Sequence, residues 1–174
     1  MGQFKTIILV CTGNTCRSPM AEAMLKQALE EVIGDQAKDI KVGSAGVAAF
    51  HGDPASHYAK TVMEKRGLDI SNHRAQHVSP GLLSDADLVL TMTTMQKEEL
   101  QRKYPAFKSK FNTLIEFAGL EQELGVDIGD PFGCSPKAYQ SSADQISKAV
   151  KAAAGKIKDL LKSRGDNSEN RHRE

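Results

Sequence analysis

Short apolar runs alternate with longer amphipathic stretches along this chain. The short runs are rich in β-branched residues and end at turn residues, which is typical of strands buried in a parallel sheet. They lie at residues 5–10, 40–46, 86–92 and 111–114. In the longer stretches apolar residues recur every three or four positions, which predicts helices. These lie at residues 19–34, 53–67, 93–104 and 142–162.

The order of these elements predicts an α/β fold. Strands that alternate with helices form a parallel sheet covered on both faces, so we expect one domain with three α/β/α layers and a central four-stranded parallel sheet. Pro19 suits the first turn of the first helix and Gly34 its exit. The helix at 53–67 is expected to open at its Asp-Pro pair, and Thr93 with Gln96 predicts a capping box for the next helix.

Two segments lack this regularity. Residues 117–138 show no sustained period and contain four glycines and two prolines, and a loop of that length in a compact domain is usually functional or disordered. The end of the chain is polar and charged throughout, which predicts a frayed terminus. We expect the domain to span residues 1–163 and residues 164–174 to form a polar C-terminal tail.

Composition narrows the class of protein. Of the 174 residues, 40% are hydrophobic and 26% are charged, and the net charge of +1 gives no reason to expect a nucleic-acid or membrane surface. No apolar run is long enough for a membrane span or a signal peptide, so we expect a cytoplasmic protein. The start MGQFKT resembles a myristoylation signal at Gly2, but a strand follows at once, which favours a structural N-terminus.

The 11–18 loop, CTGNTCRS, joins the first predicted strand to the first helix. At this position backbone N–H groups and a helix N-terminus converge on anions. Gly13 is expected to take a positive φ and curl the loop around a phosphate. Arg17 can clamp two phosphoryl oxygens, and these surroundings favour the thiolate of Cys11 over the thiol. Cys11 is then a candidate nucleophile, with Ser18 as hydrogen-bond donor to its sulfur.

Other interpretations of the loop carry less weight. The spacing of a Walker phosphate loop is absent. A cysteine at a strand end is often an inert core residue, but the accompanying glycine, arginine and serine favour catalysis over that reading. Cys11 and Cys16 lack a second Cys or His pair at zinc-site spacing, so we expect no metal. The three cysteines are an odd number, which indicates thiols and not a disulfide framework.

The motif VCTGNTCRSPMAEAML, together with the later DPFG, resembles the low-molecular-weight protein tyrosine phosphatase family. The resemblance implies a flavodoxin-like fold and a phosphocysteine intermediate on Cys11. It also implies that Arg17 clamps the transition state and that Asp130 is the general acid. An Asp-Pro pair is a common turn as well, but a carboxylic acid above the site can protonate a leaving group and then serve as base for water.

Further site residues follow from the same resemblance. Asn14 is similar to the residue that holds the strained loop, supported by Ser44 and His73. Cys16 resembles a thiol that traps Cys11 in a reversible disulfide. The residues expected to bind phosphate or substrate are Thr12, Gly13, Asn14, Thr15, Cys16, Ser18 and Phe132.

Two differences from the pattern of phosphotyrosine-specific enzymes bear on the identity of the substrate. Thr15 stands where phosphotyrosine enzymes typically carry a bulky aliphatic residue, and Phe132 with Gly133 stand where they carry tyrosines; the pattern resembles the bacterial protein-arginine phosphatase branch. A threonine wall suits a planar guanidinium, Asp130 could hydrogen-bond its nitrogens, and Phe132 could stack on it. If Thr15 has no influence on the choice of substrate, we expect an ordinary tyrosine phosphatase.

Two further classes of protein fit the sequence less well. An arsenate reductase would need a relay of two more cysteines, whereas only Cys134 remains, expected to pack beside the loop that holds Asp130. A non-catalytic phosphate-binding module would lack Cys11 or Asp130. We therefore expect a monomeric enzyme without metal or organic cofactor, with a phosphorylated protein as substrate and no nucleic-acid or membrane partner.

Overall fold

A four-stranded parallel sheet forms the centre of the protein, as the sequence predicts. A computed structural model describes residues 4–169. The expectations for Gly2 and for residues 170–174 lie outside this range. The strands are β1 (Thr6–Cys11), β2 (Lys41–Gly46), β3 (Leu88–Thr91) and β4 (Phe111–Thr113), in the spatial order β2-β1-β3-β4.

Helices cover both faces of this sheet. The helices are α1 (Arg17–Ile33), α2 (His57–Glu64), α3 (Pro80–Asp85), α4 (Thr94–Lys103), α5 (Leu114–Ala118), α6 (Glu121–Leu124) and α7 (Pro136–Glu169). Short 3₁₀ turns follow α1 and α4, at Gly34–Asp39 and Pro105–Lys110. Among residues 4–169 there is no helix with the length and apolar character needed to span a membrane.

Successive residues of β1 divide the core into two clusters. Ile7 and Leu9 pack with α1, α2 and α7 on one face, whereas Ile8 and Val10 pack with α3, α4 and β4 on the other. This is the alternation of a strand that is buried on both sides. The predicted three-layer architecture is confirmed.

The structure differs from the sequence expectation at several helix ends. The helix α2 begins at His57 and not at the Asp-Pro pair, because Ser56 caps it by accepting the N–H of Ala59, while Pro54 pairs with Arg74 in an antiparallel bridge. The closing helix α7 is longer than predicted at both ends. The short helices α3, α5 and α6 were not predicted, since one or two turns produce no recognisable periodicity.

Candidate active site

The 11–18 loop lies at the carboxyl end of β1 and leads directly into α1. Asn14 has a φ of 56°, and within residues 4–169 it has the only positive φ outside glycine. The expectation that Gly13 supplies this conformation is wrong, since Gly13 is absent from the positive-φ glycines. Asparagine tolerates the left-handed region because its side chain can hydrogen-bond nearby groups.

Asn14 is fully buried and holds the loop to two other segments. Its Nδ2 donates to Ser18 Oγ at 2.8 Å and to Ser44 Oγ at 3.0 Å. Its Oδ1 accepts the N–H of Gln76 at 2.9 Å, and its backbone oxygen lies 2.7 Å from His73 Nε2. The structure therefore brings the expected supports Ser44 and His73 to Asn14, and it adds Gln76, which the sequence did not indicate.

Cys11 ends β1 and is 2% exposed. Its sulfur lies 3.0 Å from Ser18 Oγ and accepts the backbone N–H of Asn14 at 3.3 Å. The side chain of Cys16, which precedes α1, accepts no N–H of that helix. The first-turn N–H groups of a helix point out of its N-terminus, so they add donors to the loop for an anion beside Cys11.

Arg17 and Asp130 form an ion pair at the same end of the sheet. Arg17 is 4% exposed, and its Nη1 donates to the carbonyl of Ile128 at 3.1 Å. Its Nη2 lies 3.2 Å from Asp130 Oδ2, and the Asp130 side chain is half exposed. Asp130 Oδ1 also accepts the N–H of Phe132 at 3.1 Å. The guanidinium thus already faces the carboxylate that the resemblance assigns as acid.

The 125–135 loop carries Asp130, and its first half is tied to the domain. Ile128 donates its N–H to the carbonyl of Met92 at 2.9 Å. Gly129 donates its N–H to Gln145 Oε1 at 3.1 Å and accepts the hydroxyl of Ser142 at 2.7 Å. Met92, which follows β3, and helix α7 therefore hold the two residues just before Asp130.

Beyond Pro131, which is buried, the 125–135 loop is open to solvent. Phe132 is 74% exposed. Cys134 is exposed as well, and its thiol donates to the carbonyl of Phe132 at 3.6 Å. The expectation that Cys134 packs beside the loop is wrong, because the glycine-rich turn leaves it at the surface.

The remaining loop residues lie at the rim of the site. Thr12 is exposed, and its hydroxyl accepts Gln96 Nε2 at 3.2 Å. Thr15 is half-buried, and its carbonyl accepts the N–H of Ser56 at 2.8 Å. No group of three His, Cys, Asp or Glu side chains is placed to hold a metal ion in the described part of the chain.

Cys16 lies behind the loop, against α7. It is 5% exposed, and its sulfur lies 3.3 Å from the hydroxyl of Tyr139 and 3.5 Å from Ser56 Oγ. Burial, reinforced by the hydrogen bond with Cys16, raises the pKa of Tyr139 to about 12. Tyr139 is therefore a neutral group at physiological pH.

A family model described as low molecular weight phosphotyrosine protein phosphatase matches residues 6–163. The chain belongs to this family of cysteine-dependent phosphatases. The phosphatase is 40% identical over 156 residues to a protein of Ralstonia nicotianae named probable low molecular weight protein-tyrosine-phosphatase EpsP, covering 90% of this chain and 98% of that one.

Solved structures agree with this assignment. The YwlE arginine phosphatase of Geobacillus stearothermophilus superposes with a TM-score of 0.80 at 34% identity, covering 91% of this phosphatase and 96% of that chain. A cysteine-to-serine mutant of a YwlE arginine phosphatase, with a phosphorylated active-site serine, also gives 0.80 at 33% identity, covering 88% and 95%. The flavodoxin-like phosphatase fold and the assignment as a hydrolase are confirmed.

Proposed function

We propose that this phosphatase hydrolyses phosphoarginine in proteins through a phosphocysteine intermediate on Cys11. Three features support Cys11 as nucleophile. It is buried at the start of the 11–18 loop, its sulfur accepts the N–H of Asn14, and its sulfur lies 3.0 Å from the hydroxyl oxygen of Ser18. The phosphorylated serine in the related cysteine-to-serine mutant is consistent with a nucleophile of this kind.

The reaction runs in two balanced steps. In the first, the thiolate of Cys11 forms a bond to phosphorus while the bond between phosphorus and the guanidinium nitrogen breaks, and protonated Asp130 gives its proton to that nitrogen. In the second, Asp130 takes a proton from water as the water oxygen attacks phosphorus. The sulfur–phosphorus bond then breaks, with Ser18 donating to the departing sulfur, and inorganic phosphate is released.

Arg17 is proposed to hold the equatorial oxygens of the phosphoryl group. Its planar guanidinium can donate two parallel hydrogen bonds to such oxygens. In the structure Arg17 pairs with Asp130, whose Oδ2 lies 3.2 Å from Nη2. A bound phosphoryl group would therefore displace the carboxylate from the guanidinium and leave Asp130 free to act on the leaving group.

The observation that carries the arginine preference is Thr15. Its side chain lies in the loop between Cys11 and Arg17 and is only half-buried, so a substrate can reach it. A threonine offers a small wall and a hydroxyl that can accept a guanidinium N–H. A site built around such a hydrogen bond discriminates strongly against a substrate that lacks the donor. Phe132, exposed two residues beyond Asp130, is available to stack on the guanidinium plane.

The test compares kcat/KM on a phosphoarginine peptide and a matched phosphotyrosine peptide for three proteins. We expect the wild type to prefer phosphoarginine, Thr15→Val to lose part of that preference through the missing hydroxyl, and Thr15→Ile to reverse it through bulk. A wild type that prefers phosphotyrosine, with no change in either variant, would contradict the arginine assignment.

A phosphotyrosine substrate is the second candidate. It is supported by the 40% identity to a Ralstonia protein named as a probable tyrosine phosphatase. The same peptide comparison decides between the two substrates.

Two further properties belong to the proposal. Cys16 is proposed to form a reversible disulfide with oxidised Cys11 and so prevent irreversible oxidation. The cytoplasm is the proposed location, in keeping with the free thiols of Cys11, Cys16 and Cys134.

A further inference from the structure

We infer that Glu22 is a positioning residue for the nucleophile, acting through Ser44 and Asn14. This inference rests on the proposed role of Cys11. Glu22 lies in the second turn of α1, and its Oε2 is 2.6 Å from Ser44 Oγ on β2. The side chain is 20% exposed, and its other oxygen accepts Lys26 Nζ at 2.7 Å. An ionised carboxylate therefore ends a chain of hydrogen bonds that begins at the sulfur of Cys11.

The orientation of Asn14 is fixed by its partners. The N–H of Gln76 can only donate, so the atom of Asn14 that meets it is the oxygen. The NH₂ group of Asn14 then faces two hydroxyls, those of Ser18 and Ser44, and gives one hydrogen to each. Both hydroxyl oxygens are acceptors in these bonds, and each keeps one hydrogen to donate elsewhere.

The carboxylate of Glu22 determines where the hydrogen of Ser44 goes. A carboxylate has no hydrogen to give, so Ser44 donates to Glu22 and presents its lone pair to Asn14. Ser18 keeps its hydrogen for the sulfur of Cys11 at 3.0 Å, with the carbonyl of Ala45 as a longer alternative at 3.4 Å. Every hydrogen bond in this series is therefore donated in the direction away from Asn14. One branch runs through Ser44 to Glu22, and the other runs through Ser18 to Cys11.

Glu22 is the most exposed member of a group of hydrogen-bonded polar side chains that is otherwise buried. Ser44 is 4% exposed, and Asn14 and Ser18 are fully buried. Without an acceptor at position 22, the almost fully buried hydroxyl of Ser44 would lose its hydrogen-bond partner, which is costly. Ser44 would rotate to find another acceptor, and the hydrogen bond that holds Asn14 in its left-handed conformation would weaken. The nucleophile would then lose its alignment with phosphorus.

The test measures kcat, KM and the inhibition constant of inorganic phosphate for Glu22→Ala, Glu22→Gln and Ser44→Ala. We expect Glu22→Ala and Ser44→Ala to lower kcat roughly 10- to 100-fold through misalignment of the sulfur, with KM and phosphate inhibition within about threefold because the loop N–H groups remain. Glu22→Gln keeps an acceptor oxygen and should retain most of kcat.

Two comparisons make the result specific. Lys26→Ala removes the outer partner of Glu22 while leaving the bond to Ser44, so its kcat should match the wild type. The double variant Glu22→Ala with Ser44→Ala should be no slower than Ser44→Ala alone, because both act on one chain. Independent, multiplying effects, or a Glu22→Ala enzyme as fast as an active wild type, would overturn the inference. A wild type without phosphatase activity would count instead against the proposed function.

Discussion

The two loops that form the site are held in different ways. Most of the 11–18 loop is buried, and Asn14 joins it to β2 and to the segment that carries His73 and Gln76. The 125–135 loop is held through Gly129 and the ion pair of Asp130 with Arg17, and beyond Pro131 it exposes Phe132 and Cys134. The proposed phosphate-binding loop is thus part of the core, while Asp130, the proposed proton-transfer group, lies on a surface loop just before its exposed part.

This contrast fits the chemistry. A developing charge is best stabilised by donors that need no rearrangement during the reaction. A group that donates a proton in one step and removes one in the next needs access to substrate and water. Changes in the 11–18 loop should therefore abolish or greatly slow catalysis, and changes in the 125–135 loop should reduce it in graded amounts.

The largest expected effect is that of Cys11→Ser. Replacing the sulfur removes the nucleophile but leaves the N–H groups of the loop and Arg17, so turnover should fall by at least about 10⁴-fold while inorganic phosphate still binds. Steady-state kinetics and calorimetric phosphate titration measure the two properties. Cys134→Ser, at the exposed end of the other loop, is the matched control and should keep wild-type kcat. Retained turnover in the Cys11 variant would remove it from the nucleophile role.

Asp130→Asn should have the next largest effect. Without a proton to give, kcat should fall by roughly 10²–10⁴-fold, whereas phosphate should bind at least as tightly, since Arg17 loses its ion pair with Asp130. The affinity for phosphate does not fall together with kcat, a result that a simple loss of folding cannot produce. Substrates with good leaving groups should be less affected, and equal losses on good and poor leaving groups would argue against acid catalysis.

Gly46→Ala tests the rigidity of the 11–18 loop from the neighbouring strand. A Cβ atom added at Gly46 would clash with the carbonyl oxygen of Thr12 and would lie 3.0 Å from the N of Asn14. The loop must shift, so kcat/KM should fall by roughly 10²-fold. Gly43→Ala in the same strand is the control, since its Cβ would meet only the flexible end of Ile8 at 3.3 Å. Similar kcat/KM values for the two variants would show that the loop tolerates displacement.

Ser142→Ala tests the anchor of the other loop. It removes the hydroxyl that Gly129 accepts at 2.7 Å and should destabilise the fold by about 1 kcal/mol. The loop keeps its bonds to Met92 and Gln145, so kcat should fall only a few-fold, with phosphate affinity unchanged. A loss as large as that of Asp130→Asn would show that this one bond positions the acid.

Much of this arrangement follows from local sequence. Periodicity indicated the four strands and the long helices, and the 11–18 loop was recognisable because strand, loop and helix are contiguous. The contacts among Cys11, Asn14 and Ser18 lie within eight residues. Thr93 and Gln96 form the predicted capping box for the same reason, since both bonds of that motif are local.

Contacts between distant segments could not be predicted from spacing. Gln76 meets Asn14 across 62 residues, and Ser44 meets Glu22 across 22 residues in a different element. Intrinsic preference predicts the left-handed residue at Gly13, but the tertiary hydrogen bonds of Asn14 override that preference. The choice of substrate cannot be predicted from the sequence pattern either, because it depends on how Thr15 and Phe132 face a ligand.

The smallest effect at neutral pH is expected for Tyr139→Phe, behind the 11–18 loop. Burial and the hydrogen bond with Cys16 raise the pKa of Tyr139 to about 12, against about 10 in the unfolded chain. A raised pKa means that the neutral phenol stabilises the fold below pH 10, and that this contribution is lost as the pH rises from 10 towards 12. Urea unfolding at pH 8 and pH 11 should show the wild type losing about 1 kcal/mol more than Tyr139→Phe over this interval. Equal losses would mean that the phenol ionises as easily in the folded protein as in the unfolded chain, and that Cys16 is less enclosed by α7 than its 5% exposure indicates.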